Sequence, residues 1–315
     1  MTWESLLKSY AREVLEVFNE VIQDYEAESL LLSGGLDTSI IACLASRYFE
    51  PKALTVGLKG CEAPDLCYAE LVAGHLGLSH EVKLFSIEEA REAAVYVVKT
   101  LRSFDPMEVR NDISLFIAMR RLREEGMESV ITGDGGDELF AGYTFLFKLA
   151  PRQVDRWIKD IVGRWFFASK PLGESVGLRV LQPFTDHRVV DLALRIPAEF
   201  KIAQHGGITY GKYVLRKAFE NLLPAEVVWR DKHPIELGSG SIRLSKIFRV
   251  TPEEYTELSR MVPRISQEQA YYLKIFLETF GGIPKPRKGE KACPRCGGGI
   301  PQDEKYCRLC GAYPV

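Results

Sequence analysis

Apolar residues recur along this chain in two rhythms. The first 29 residues, "MTWESLLKSYAREVLEVFNEVIQDYEAES", carry them at helical spacing with charges throughout, which predicts an amphipathic helix. The rhythm then shortens. A β-rich run at about Ser29 to Leu32 predicts a strand, and a helix is expected from about Thr38 to Arg47. "KALTVGL" reads as a second strand, "DLCYAELVAGHLG" as a helix and "HEVKLFS" as a third strand. Helical patterns follow over Ile87 to Leu101 and Ser114 to Glu125, and "ESVITGDGGDELFAGY" returns to strand, glycine loop and helix.

Short apolar strands alternating with helices predict an α/β fold, a doubly wound parallel sheet covered on both faces. Ligands of such sheets sit beyond the carboxyl ends of the strands, where both glycine loops fall. From about Ala150 to Phe280 the spacing of "VVDLALRI" and "YVLRKAFENLL" reads as mostly helical. "GGIPKPRKGEK" then reads as a linker. The expected division is a main domain over 1–284, a linker over 285–292 and a small tail unit over 293–315.

Composition narrows the classes. Net charge is −2 over 315 residues, so there is no global electrostatic case for nucleic acid or membrane. No apolar run approaches the roughly 18–20 residues of a membrane span, and the charged N-terminus does not read as a signal peptide. A soluble, cytoplasmic protein is the expectation. Three asparagines among many Glu, Lys and Arg lean toward a thermophilic source.

Of seven cysteines, four lie in "CPRCGGGIPQDEKYCRLCG": Cys293, Cys296, Cys307 and Cys310. Two C-x2-C pairs can present four thiolates to tetrahedral zinc. A unit this short has little core, so metal would supply most of its folding free energy. The expectation is a closed structural zinc ribbon, with a redox dithiol as the alternative. Cys43, Cys61 and Cys67 read as buried or incidental thiols.

"SGGLDTS" lacks the Lys-Ser/Thr ending of a Walker loop and the dinucleotide fingerprint. Its glycines let backbone N–H groups turn toward an anion, the next helix adds its dipole, and Ser33, Thr38 and Ser39 add hydroxyls. Asp37 would repel phosphates unless a cation intervened, and magnesium takes a carboxylate together with phosphate oxygens. A plain strand–turn–helix could account for this loop alone. "GDGGDELFAGY" brings Asp134, Asp137 and Glu138 to a second strand end, as a magnesium–polyphosphate site requires.

At these residues the chain resembles the ATP pyrophosphatases, whose fold is that of the adenine nucleotide alpha-hydrolases. "LLSGGLDTS" is similar to their pyrophosphate-binding motif. "GDGGDELFAGY" is similar to the matching loop of the asparagine synthetase and β-lactam synthetase branch. "FDPMEVRND", "QPFTDHRVVDLALRIP" and "KYVLRKAFENLLPAEVVWRDK" fit that branch in order, and the resemblance spans about Leu6 to Leu244. It implies that a substrate carboxylate attacks the α-phosphate of ATP, and that ammonia or an amine then displaces AMP to form an amide. It further implies that Leu32, Ser33, Gly34, Gly35, Asp37, Thr38 and Ser39 hold pyrophosphate and magnesium, with Asp137 as second Mg2+ ligand. Val56, Arg110 and Gly133 would meet the nucleotide. Asp134 would be an active-site acid, Lys232 would stabilise charge on the reacting phosphate, and Asp186 is retained from the family's "PFLD".

The chain departs from the pattern at three places. Residue 2 is Thr, where full asparagine synthetases carry a catalytic cysteine, so a separate glutaminase subunit is the expected ammonia source. "GLRVLQPFTD" has Arg179 and Leu181 where the family has Glu and Arg, which puts aspartate as the small-molecule carboxylate in question. The ribbon is an addition. A homodimer is a further expectation. Two other readings stand beside the ligase: an ATP-dependent tRNA-modifying enzyme of the wider fold, and a nucleotide-binding regulatory protein that docks through its ribbon. The lack of a strong basic patch argues against RNA.

Overall fold

The structure, a computed structural model, describes residues 2–315. Helix α1, Trp3–Gln23, opens on Thr2, whose hydroxyl accepts from Ser5 N at 3.3 Å. It buries Leu7, Ala11, Val14, Phe18, Val21 and Ile22, one stripe at helical spacing. A five-stranded sheet follows, built from β1 (Ser29–Leu31), β2 (Lys52–Leu58), β3 (His80–Phe85), β4 (Ser129–Ile131) and β5 (Arg179–Leu181). Its order is β3-β2-β1-β4-β5, and every pairing is parallel. Strand order reverses between β2–β1 and β1–β4, so the carboxyl ends of β1 and β4 flank the switch point where such sheets bind ligands.

Alternate residues serve opposite faces. Leu30, Ala53 and Ile131 join the core beneath α1, while Leu54, Leu58 and Val130 join the core on the other face. The first core also holds α2 (Leu36–Ala45) and α3 (Pro64–Leu76). The second holds α4 (Ile87–Leu101), α5 (Pro106–Glu124) and helix Gln267–Phe280. After β4 come α6 (Gly136–Leu139), α7 (Pro151–Val162) and α8 (Ser169–Ser175), and after β5 comes α9 (His187–Arg195).

The doubly wound sheet matches the sequence expectation, with differences that have local causes. Helix α2 starts two residues earlier than its hydroxyl-rich stretch suggests, which puts Asp37 in its first turn. Helix α5 begins at Pro106 rather than Ser114. Proline supplies the first helical φ, and the Asp105 carboxylate caps Met107 N at 3.0 Å. Strand β5 and a hairpin, β6 (Ala203–His205) with β7 (Ile208–Tyr210), lie in the stretch that reads as helical. Each has three residues, too few to show a period of two.

In the tail, β8 (Glu290–Ala292) pairs with β9 (Gly299–Pro301). The four tail cysteines, Ile300 and Ala312 share a core with Phe104, Tyr272 and Phe276, so the tail is docked on α5 and helix Gln267–Phe280. Phe104 N donates to Leu309 O at 2.7 Å, and Gln269 Nε2 to Cys310 O at 2.8 Å. Among the described residues, no helix is long and apolar enough to cross a membrane.

Candidate active site

The loop after β1 turns on Gly34, whose φ of 64° is left-handed. A Cβ at Gly34 would lie 2.4 Å from the Tyr68 backbone, so side chain and loop cannot coexist there. Leu32 N extends the β1 pairing to Leu54 O at 2.9 Å. Ser33 and Thr38 tie the loop internally: Ser33 N donates to Thr38 Oγ1 at 3.2 Å, and Thr38 Oγ1 to Gly35 O at 3.2 Å. Gly35 caps α2 without a side chain, which leaves the N–H groups of its first turn directed outward. The Ser39 hydroxyl is buried without a partner.

The loop after β4 meets the first one directly. Gly133 packs so closely that a Cβ there would stand 3.1 Å from Thr38 and 3.2 Å from Asp37. Asp37 and Asp137 are brought together by a third element. Lys212 precedes helix Tyr213–Phe219 with φ 56°, and its N–H donates to Phe140 O at 2.8 Å. That backbone bend sends a buried ammonium between the two carboxylates, where Lys212 Nζ donates to Asp37 Oδ2. The same Nζ lies 2.7 Å from Asp137 Oδ1, close in charge but off the hydrogen-bond line. Lys232 Nζ donates to Asp137 Oδ2 at 2.5 Å and sits 4.9 Å above the Tyr143 ring.

Two carboxylates and two ammoniums thus balance, yet Asp37 Oδ1 and Asp137 Oδ1 accept no hydrogen bond. Burial pushes the Asp37 carboxyl up against the pull of Lys212. For Asp137 burial also pushes upward, but Lys212 and Lys232 overcome it and hold it down at about 2. Buried acceptors left open beside a helix N-terminus suit a hard cation and phosphate oxygens. Magnesium therefore fits the donor set. Gly142 closes the back of this arrangement: a Cβ there would fall 1.9 Å from Asp137 Oδ1 and 2.5 Å from Lys212 Cε.

Other sequence-predicted residues have different company. Asp134 Oδ2 accepts from Thr132 Oγ1 at 2.6 Å, Ser169 Oγ at 2.5 Å and Gln182 Nε2 at 3.0 Å. Val56 is half-buried in β2. Arg110 is spanned by Glu236 and Glu268, each at 2.6 Å, with Tyr272 Oη donating to Glu268 at 3.1 Å. Asp186 caps α9 through Arg188 N at 2.9 Å and takes two guanidinium bonds from Arg188, which hold its carboxyl below its usual range. In this structure Arg110 and Asp186 have saturated partners, and neither joins the Asp37–Asp137 cluster.

Sequence reasoning missed Lys212 and Arg230. Arg230 donates to Ser33 O at 3.1 Å and Asp65 Oδ1 at 2.6 Å, and lies 4.0 Å above the Tyr68 ring. It thereby pins the first loop to α3. The signal lay in the motifs "KYVLRKAF" and "WRDK", where each basic residue borders a turn rather than a helix face.

In the tail, Cys293, Cys296, Cys307 and Cys310 are buried and unbridged, with all four sulfurs within 4.8 Å of one another. Each pair closes a knuckle on a left-handed glycine: Gly297 N donates to Cys293 O at 2.9 Å, and Gly311 N to Cys307 O at 2.8 Å. The Cys293–Cys310 and Cys296–Cys307 sulfurs are 3.8 and 3.7 Å apart. A tetrahedron with Zn–S of about 2.3 Å has edges of about 3.8 Å, so the four thiols fit zinc.

A family profile described as asparagine synthase matches residues 25–175 and 171–280. The asparagine synthetase [glutamine-hydrolyzing] of Gallus gallus is 30% identical over 276 residues, 80% of this chain and 49% of that protein. Asparagine synthetase B [glutamine-hydrolyzing] of Escherichia coli K12 is 27% identical over 83% of this chain and 51% of its own length. The chain thus spans about half the length of these curated relatives. Among solved structures, the NMN synthetase of Francisella tularensis covers 64% of this chain and 99% of its own, at 18% identity and a TM-score of 0.30.

Proposed function

We propose that this chain, which belongs to the asparagine synthase family, is an ATP-dependent, AMP- and pyrophosphate-forming ligase that amidates a carboxylate. The observation that carries this reading is the open charge cluster of Asp37, Lys212, Asp137 and Lys232 between the two glycine loops. The β- and γ-phosphates lie along the first loop, against the outward N–H groups of α2 and the Ser39 hydroxyl. Asp37 and Asp137 hold Mg2+, which when bound offsets the phosphate charge. Negative charge builds on the bridging and departing oxygens as the acceptor attacks the α-phosphorus. Lys232 and Lys212 are already fixed beside that charge, so no reorganisation is needed as it develops. Holding both reactants in one cleft removes much of the entropic barrier. Zn2+ in the tail is structural.

The acceptor is a small carboxylate, with aspartate the first to test, and the nitrogen comes from ammonia or an amine. A separate glutaminase subunit would supply ammonia, and a homodimer is proposed with it. ATP–pyrophosphate exchange, with magnesium and a panel of amino acids, other carboxylates and bulk tRNA, tests the reading. Exchange with a small carboxylate is expected. Exchange only with tRNA would replace the ligase with a tRNA-directed enzyme, and none with any acceptor would leave a nucleotide-binding regulator. Elemental analysis should find about one zinc per chain, and the Cys293→Ser/Cys296→Ser double variant should lose it.

A further inference from the structure

The two outer strands of the sheet are finished differently. Strand β5 has three residues, a short edge that offers little to another strand. Strand β3 has six, runs without proline or glycine, and pairs on one side only, with β2. That pairing uses its odd-numbered residues: Ala53 N donates to Ser79 O and Lys59 N to Phe85 O, each at 2.9 Å. Backbone groups alternate sides along a strand, so the N–H and C=O of His80, Val82 and Leu84 point off the sheet. Among the described residues, no other strand or loop backbone pairs with these six groups.

A long edge is usually guarded by a proline, a bulge or an outward lysine. Here the one lysine, Lys83, is drawn to Glu89 of α4 at 2.7 Å. Val82 and Leu84 are 44% and 47% exposed. Their register partners in β2 are Thr55 and Gly57, on the face that α3 covers farther in: a Cβ at Gly57 would lie 3.2 Å from Leu66 of α3. The opposite face of the strand carries charges of both signs, Glu81 and Lys83.

We propose that β3 is the homodimer surface: it pairs antiparallel with β3 of a second copy about a two-fold axis at Val82, making one ten-stranded sheet. The axis position follows from the backbone. The outward residues are centred on Val82, so Val82 pairs with its own counterpart and His80 with Leu84 of the second copy, and every outward group on both strands is satisfied. Glu81 then stands opposite Lys83, twice. The neighbouring registers that keep outward residues paired are centred on 81 or 83. They set Glu81 against Glu81 or Lys83 against Lys83, and like charges directly opposite repel. In the favoured register Val82 and Leu84 of both copies form one apolar strip between the two α3 helices. The contact is isologous and closes, and the edges left over are the short β5 strands.

The assignment rests on the homodimer proposed above and not on the ligase chemistry. Antiparallel pairing turns the carboxyl ends of the two sets of strands to opposite rims. Strand β1 is third from the edge, so the two candidate sites stand five strand spacings, about 24 Å, apart across the sheet. Neither covers the other, and association is separable from catalysis.

Sedimentation velocity on the full zinc-loaded chain, from about 1 to about 100 µM, should show a reversible monomer–dimer equilibrium. Val82→Lys sets two ammoniums face to face and should weaken association at least about a hundredfold, with circular dichroism and melting at about 1 µM unchanged. Val82→Glu alone should do the same. Mixed in equal amounts, the two variants should associate again, because position 82 meets itself in this register. A second readout uses a Cys67→Ser background, which removes an exposed native thiol. There Val82→Cys should form a disulfide-linked dimer in oxidised glutathione, since hydrogen-bonded antiparallel partners lie about 5.5 Å apart at Cα. Leu84→Cys should not, because its counterpart lies about 13 Å away along the strand.

A chain that stays monomeric throughout the range overturns dimer and surface together. A dimer that Val82→Lys leaves intact, a mixture that restores nothing, or equal crosslinking at 82 and 84 overturns the surface. Exchange per subunit should be the same in the unmutated chain and in Val82→Lys. Its absence from both fails the ligase reading alone, and the association results still decide the surface.

Discussion

Two buried charge clusters flank the carboxyl edge of the sheet, and they are finished differently. Around Arg110, two carboxylates and a tyrosine hydroxyl use the guanidinium and each other, and none of their atoms is stranded. Around Lys212, charges balance in number, yet an oxygen of Asp37 and one of Asp137 stay without a hydrogen bond. The first cluster ties α5 to helix Gln267–Phe280 and to the segment at Glu236. The second ties three loops loosely and keeps acceptors open. Buried charge that serves the fold saturates itself, and buried charge that serves a ligand stays incomplete.

The hardest blow to this contrast is to remove the ammoniums. Lys212→Met combined with Lys232→Met should lower exchange at least about a thousandfold, and each single change about a hundredfold to a thousandfold. Full-rate exchange in the double variant would void the assignment of the open cluster. Next comes Arg110→Met, which strands Glu236 and Glu268 and should cost about 3–5 kcal/mol in denaturant unfolding. Exchange per folded molecule should hold. A collapse of exchange with intact stability would return Arg110 to the nucleotide, as the family resemblance implies.

The smallest effect belongs to a third network, Lys52, Glu81, Arg121 and Glu125, which is partly open to solvent. Burial pushes the Glu81 carboxyl upward, but Arg121 and Lys52 hold it at about 2. A depressed folded value stabilises above the unfolded pKa of about 4.5 and fades as pH falls toward 2. Glu81→Gln should therefore cost no more than about 1 kcal/mol at neutral pH, because solvent screens the pair. Melting curves of the two proteins should converge in acid.

Strands β1, β2 and β4 are legible as apolar runs that give way to a glycine turn, and β3 as the alternating stretch "HEVKLFS" that ends at a helix start. Strand β5 is not, since its three residues sit in a stretch of helical spacing. Asp37 and Asp137 stand out in sequence as acids among glycines, where a phosphate loop has no use for them without a cation. Lys212 does not stand out. On paper it is one polar residue before "YVLRKAF", and only the left-handed backbone at that position turns it inward. The docking of the tail was hidden for a related reason: its knuckles are legible from cysteine spacing, but their contacts with Phe104 and Gln269 depend on the fold of distant chain.

Gly142 carries no functional group, and nothing in its chemistry would rank it beside an aspartate or a lysine. Yet the space its missing side chain leaves is the space that Asp137 and Lys212 occupy. In a saturation screen scored by activity, this position will behave as a member of the active site, with even alanine scoring as a loss. The same reasoning extends to relatives. A chain that carries any side chain here has either rebuilt its paired charges or given them up, so one backbone position offers a quick marker for telling working copies from dead ones.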